Sequence, residues 1–191
     1  MTIWLTADLH LGHAMVANLR GFDNVEQHDA TIIRHINHLV QPLDTLWILG
    51  DVAMGGWKDS IQKVWDIDAL TIHCVLGNHD RPHPSMSSAQ NHLNEFHALS
   101  GFTSVQTMAS IRYSGTDFLA SHFPYSGDHT DEDRFDQYRL IDNGVPLFHG
   151  HTHSNEKFSL SSKGTPQIHV GMDAWNMYPV NIFDAVQLLG R

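Results

Sequence analysis

The sequence predicts an α/β fold, and three observations carry that prediction. Short runs rich in β-branched and aromatic residues alternate with amphipathic helical stretches along the 191 residues. No internal repeat or low-complexity tract interrupts the alternation. After each of the first five β-like runs, a side chain able to bind a metal ion stands at or just past the carboxyl end. In open α/β sheets the loops at those ends converge on one crevice.

The β-like runs are 2–7, 45–49, 70–76, 117–121, 145–149 and 167–170. Between the first two, the stretch 29–40 places Ile32, Ile33, Ile36, Leu39 and Val40 on one helical face, which predicts a packing helix. A shorter helix is expected over 60–65, with Ile61, Val64 and Trp65 facing inward, and a third over 88–99. The polar, acidic stretch 126–138 reads as a long loop or a loop with one helical turn. Residues 1–191 are long enough for one well-buried core and short for two, so a single domain is expected.

Composition excludes several classes. The chain is 41% apolar and 17% charged, and no apolar run approaches the roughly 18 residues of a membrane span. The start of the chain reaches Asp8 with no basic region before it, so no export signal is expected and a cytoplasmic location is. The single cysteine, Cys74, has no internal partner and lies in an apolar run, which predicts a buried thiol. There are 21 acidic against 11 basic residues, a formal charge of −10, with no dense Lys/Arg patch. Sequence-blind binding of a nucleic-acid backbone, which needs many cationic contacts, is therefore disfavoured. The 16 histidines form no tag-like run. His28, His35, His38, His92 and His97 fall singly in helix-like segments and are expected to be solvated or packed.

Five other histidines belong to the strand-end set: Asp8 and His10, Asp51, Asn78 and His79, His122, and His151 and His153. Carboxylate, imidazole and amide oxygen without thiolate suit manganese, iron, zinc or nickel better than a Cys-bound structural zinc. In an extended chain, residues two apart point to the same face, so both side chains of an Asp-x-His or His-x-His pair can reach one ion or two neighbours. Gly50, Gly77 and Gly150 each precede a ligand motif, which fits a tight turn with the backbone close to the ions.

In order and spacing, Asp8-Leu9-His10, Gly50-Asp51, Gly77-Asn78-His79-Asp80, His122 and Gly150-His151-Thr152-His153 resemble the calcineurin-like metallophosphoesterase superfamily over nearly the whole chain. Thr6-Ala7-Asp8-Leu9-His10-Leu11-Gly12-His13 and Ser121-His122-Phe123-Pro124-Tyr125 are similar to its small bacterial and phage-borne members. The resemblance implies two stacked mixed β-sheets flanked by helices. It also implies two divalent metal ions, manganese first, with iron, zinc or nickel as alternatives. One ion would be held by Asp8, His10 and His153, the other by Asn78, His122 and His151, with Asp51 bridging. The implied activity is hydrolysis of small phosphate esters, as a phosphodiesterase or phosphatase, nucleotides among the substrates.

His79 would not bind metal but sit beside the leaving-group oxygen, where an imidazolium is suited to donate a proton near neutral pH. Asp80 could orient or charge-stabilise this histidine, but part of the superfamily orients it with an Asp at the position Met54 fills here, which leaves the orienting partner open. His13, Arg20 and Arg81 are candidate contacts to substrate phosphate, and Asp173 is expected either to support a ligand or to cap a turn. The loop after His122 sets Asp128, Asp131, Glu132, Asp133 and Asp136 against Arg134 and Arg139, and should repel a long polyanion. Two alternatives stand beside the hydrolase. A nuclease is disfavoured by the missing basic patches. A non-catalytic binding scaffold of the same fold is disfavoured by the presence of His79 and the full ligand set.

Overall fold

The computed structural model describes residues 1–130 and 132–190, so Asp131 of the acidic loop lies outside the described residues. The chain runs β1 (Ile3–Thr6), α1 (Ala14–Leu19), α2 (Val25–Leu39), β2 (Thr45–Ile48), α3 (Trp57–Gln62), β3 (Thr71–Val75), α4 (Ala89–Ser100) and β4 (Ser104–Gln106). It continues through β5 (Ala109–Tyr113), β6 (Thr116–Ala120), β7 (Leu147–His149), β8 (Phe158–Leu160), β9 (Pro166–His169), β10 (Val180–Asn181) and α5 (Ile182–Val186). The first sheet has the order β10-β1-β2-β3-β4, parallel except for β10. The second has the order β5-β6-β7-β9-β8, with β6, β7 and β9 parallel and the outer strands antiparallel. Both sheets are mixed, and helices flank them, as the resemblance implied.

Strand alternation divides the interior into two cores. Leu46, Ile48, Ile72 and Cys74 face the helices and pack with Ile32, Ile36, Ile61, Val64 and Phe96. Leu5, Leu49 and Val75 face the other way, onto Ile111, Phe118, Phe148 and Ile168 of the second sheet. The rings of Phe118 and Phe148 stack there at 4.9 Å. Cys74 is fully buried, and burial pushes its thiol well above the usual range.

All six expected strands form, trimmed or shifted by a residue or two at their ends. The helix expected from residue 29 starts at Val25, because the Asn24 side chain accepts the Gln27 N–H at 2.8 Å and caps it. The expected inward position of Trp65 is corrected: a 3₁₀ turn over Lys63–Asp66 follows α3 and rotates the indole outward. Trp65 is 65% exposed and donates its Nε1–H to the Leu99 carbonyl, while Ile61 and Val64 are buried as expected. The acidic loop ends in a single helical turn, Asp136–Tyr138. Among the described residues, no helix is long and apolar enough to cross a membrane.

Candidate metal centre

The two sheets meet at the ends of their parallel strands. A parallel bridge pairs Ala7, just past β1, with Gly171, just past β9, and the Met172 N–H reaches the Ala7 carbonyl at 3.1 Å. Around this junction the fold gathers the seven side chains expected as ligands. Asp8 and His10 follow β1, Asp51 follows β2, Asn78 follows β3, His122 follows β6, and His151 and His153 follow β7. Ligand atoms of Asp8, His10 and His153 lie within 4.8 Å of one another, and so do those of Asp8, Asp51 and His122. His10 Nε2 is 3.1 Å from His153 Nε2 and 3.8 Å from Asp51 Oδ2. His122 Nε2 is 3.1 Å from Asn78 Oδ1 and 3.5 Å from Asp51 Oδ2. The His151 ring lies 5.2 Å from that of His122. All but half-buried His153 are buried.

The backbone that aims these side chains is unusual. Asp8, His10, Asp51, His151 and His153 have φ of 60°, 50°, 53°, 71° and 49°, the left-handed region that L-residues seldom adopt. Five of the seven candidate ligands thus sit in backbone conformations that persist only when the surroundings hold them. Two glycines allow the loops to close around them. A Cβ on Gly77 would meet the Asp51 carboxylate and backbone, and one on Gly150 would meet the Asp8 carboxylate and the Ala7 methyl.

A second layer of acceptors sets the ring orientations. His122 Nδ1 donates to the Leu49 carbonyl at 2.8 Å, His153 Nδ1 to Asp173 Oδ2 at 2.8 Å, and His151 Nε2 to Asp128 Oδ2 at 3.0 Å. Each acceptor is an oxygen, so each ring must carry its proton on that side, which leaves the other nitrogen free of that proton. Asp128 is fixed in turn by Arg134 Nη2 at 2.9 Å and Arg139 Nη2 at 3.2 Å. Burial works against ionisation of Asp128, but Arg134 and His151 outweigh it and hold the carboxyl well below the usual range. Asp173 is held low in the same way by Arg20 and His153. Asp173 therefore supports a candidate ligand. The part played by Asp128 had no local signal, since it sat among the loop's other acidic residues.

Three expectations for the surrounding residues are corrected. Arg20 is not free for substrate: Nε and Nη2 grip the two Asp173 oxygens at 2.8 Å, and Nη2 also donates to the Asp8 carbonyl at 2.8 Å. Asp80 does not orient His79, because its buried oxygens accept the backbone N–H groups of Asp51, Val52 and Gly77 at 3.0, 2.9 and 2.8 Å. It shapes the loop carrying Asp51 instead. The acidic loop is not a free negative field at Asp128, which two guanidinium groups neutralise. His79 and His13 do line the cleft above the centre, as does Met54, while Arg81 is exposed outside it. The His79 side chain is 43% exposed, with Nε2 3.9 Å from Asp51 Oδ2 and its backbone N–H on Asp51 Oδ1 at 2.9 Å. Burial and the neighbouring imidazoles of His122, His13 and His153 lower it to about 4.

Residues 1–170 match the calcineurin-like phosphoesterase superfamily domain. The chain belongs to this superfamily. Among its relatives, the gene 66 protein of Mycobacterium phage L5 is 43% identical over 182 residues, covering 90% of this chain and 86% of that protein. The gene 66 protein of Mycobacterium phage D29 is 39% identical over 180 residues, covering 91% and 89%. Among solved structures, a protein of unknown function from Aquifex aeolicus superposes over 98% of both chains with a TM-score of 0.71 at 19% identity, a likeness of fold.

Calcineurin-like phosphoesterases imply a metal, and the donor set fits one. His10 Nε2 and His153 Nε2 face each other at 3.1 Å, although His153 already gives its Nδ1 proton to Asp173. The buried Nδ1 of His10 has no hydrogen-bond partner. Burial and the charge of Asp8 push the Asp51 carboxyl up to about 8. Buried carboxylates crowded by like charge and by converging lone pairs are what a cation between them relieves.

Proposed function

We propose that this protein hydrolyses phosphate esters of small molecules, as a phosphodiesterase or phosphatase, with two divalent cations, manganese first among them. The observation that carries this reading is the convergence of seven candidate ligand side chains from five strand ends beneath a cleft of about 630 Å³. Asp8, His10 and His153 would hold one ion, Asn78, His122 and His151 the other, and Asp51, facing both His10 and His122, would bridge them. Such an ion pair lowers the pKa of a shared water and neutralises phosphoryl charge.

The protein's own groups supply the rest. His79 stands at the rim of the centre, its ring 5.7 Å from that of His10, where it can give a proton to a departing oxygen. With its pKa lowered to about 4 it is neutral at pH 7 in the chain alone. The negative charge of a bound phosphate acts in the opposite direction and favours the imidazolium. A formal charge of −10 favours small esters over polynucleotides.

Metal analysis combined with a panel of an aryl phosphate monoester, an aryl diester, cyclic nucleotides and single-stranded DNA tests the reading. Hydrolysis of a small ester with bound divalent metal is expected. No turnover with any divalent metal would leave the scaffold alternative standing. His79→Ala should keep its metal and lose most on esters with poor leaving groups, and equal losses across leaving groups would remove the acid role. Asp51→Asn should abolish turnover, an outcome contradicted by full activity with two ions still bound.

A further inference from the structure

The cleft over the metal centre is lined by two kinds of side chain. The imidazoles of His10, His13, His79, His129 and His153 line it. Met15, Val16 and Leu19 of α1 and Met54 from the loop after β2 form its apolar wall. Met15 and Leu19, four residues apart and so on one ridge of the helix, are 63% and 76% exposed, although α1 buries Val16 and Ala17. Among the described residues, Arg20 is the one Lys or Arg side chain lining the cleft, and Asp173 and the Asp8 carbonyl already engage it. No free cation waits there for a second phosphate or a carboxylate.

From this layout we infer that the α1 wall is a subsite for an aromatic, uncharged substituent of the phosphate ester. The inference rests on the hydrolase reading given above and names the class of ester it takes. Two thioethers and two branched aliphatic chains form a surface against which a flat ring packs well, since methionine sulfur makes favourable contacts with aromatic edges. The volume suits a small molecule, about 300–1,000 Å³ being usual for such sites. Continuity with the metal centre sets the occupant: the histidines and the α1 wall line one cleft, so a group attached to a phosphoryl held at the histidines is within reach of that wall. The same ridge explains why two large apolar side chains stay in solvent on a short helix that already has a buried face.

Equilibrium calorimetry on the manganese-loaded full chain with phenylphosphonate and methylphosphonate tests the inference without turnover. Wild type should bind the phenyl compound about tenfold more tightly, the effect of burying some 60 Å² of apolar surface. In Met15→Gln, Leu19→Ser and the double variant, all at exposed positions, that ratio should fall toward one, furthest in the double. A wild-type ratio near one, or a ratio the variants leave untouched, would overturn the subsite. If manganese binds but neither phosphonate does, the phosphate-ester reading itself fails and takes the subsite with it.

Discussion

Arg20 donates to Asp173 and Arg139 to Asp128, and each of these carboxylates takes the proton of one candidate ligand histidine. Replacing Arg20 by Ala should cost about 3 kcal/mol in urea unfolding, because Asp173 and the Asp8 carbonyl lose their donors together. Arg20→Lys should restore little of it, since one ammonium cannot span both carboxylate oxygens and the carbonyl. Asp128→Asn should lower the affinity for the ion that His151 is proposed to hold by about 10- to 100-fold, measured by manganese titration. Six of the seven ligand candidates were legible in the sequence because their motifs are local, two residues apart or next to a glycine, while His122 had only its place just past a β-like run. Their supports were not. The bond from His151 to Asp128 joins residues 23 positions apart, and that from His153 to Asp173 joins residues 20 apart. For Asp128, partnership depends on how the loop to Arg139 folds back, which no spacing rule encodes.

At the scale of elements, most of what could be read carried a period, although β5, which alternates buried and exposed over Ala109–Tyr113, was missed. The six expected β-like runs, each of four residues or more in the sequence, and the long helix α2 are long enough to show alternation or an apolar face, although only three residues of 145–149 form β7. Strands β4, β8 and β10 have three, three and two residues, too few for either signal. Trp65 was misjudged because a helical period continued on paper where the chain tightens to 3₁₀. The start of β2 shows how one residue ties elements together. Asp44 accepts the Thr2 N–H at 2.6 Å, the Trp4 indole at 3.1 Å and the Gln41 N–H at 3.2 Å, pinning β1 to its neighbour. Burial pushes its carboxyl up, but these donors outweigh that and hold it below the usual range. A depressed folded-state pKa contributes stability that is present above the unfolded value, about 3.9, and is lost as pH falls through the folded one. Asp44→Asn should therefore lower Tm at pH 7, and its deficit relative to wild type should shrink as the pH is taken below that value. A deficit constant from pH 7 to pH 2 would assign the effect to packing instead.

Over the whole molecule, two cores lie on opposite faces of the first sheet, and the candidate metal centre stands at the edge they share. A ligand that binds only the folded chain raises stability by mass action. Manganese at about 100 times its dissociation constant should thus add roughly 2.7 kcal/mol per independent site, seen as a higher Tm that chelation reverses. Asp51→Asn should reduce the gain. The membership of each cluster has a further, mechanical consequence. Asp8, His10 and Asn78 extend from the first sheet, and His122, His151 and His153 from the second. In the proposed assignment each ion takes ligands from both, so it would act as a rivet through two plates. Under a pulling force, peeling the sheets apart would have to shear the rivets, whereas unzipping the outermost strand of either sheet would leave them untouched.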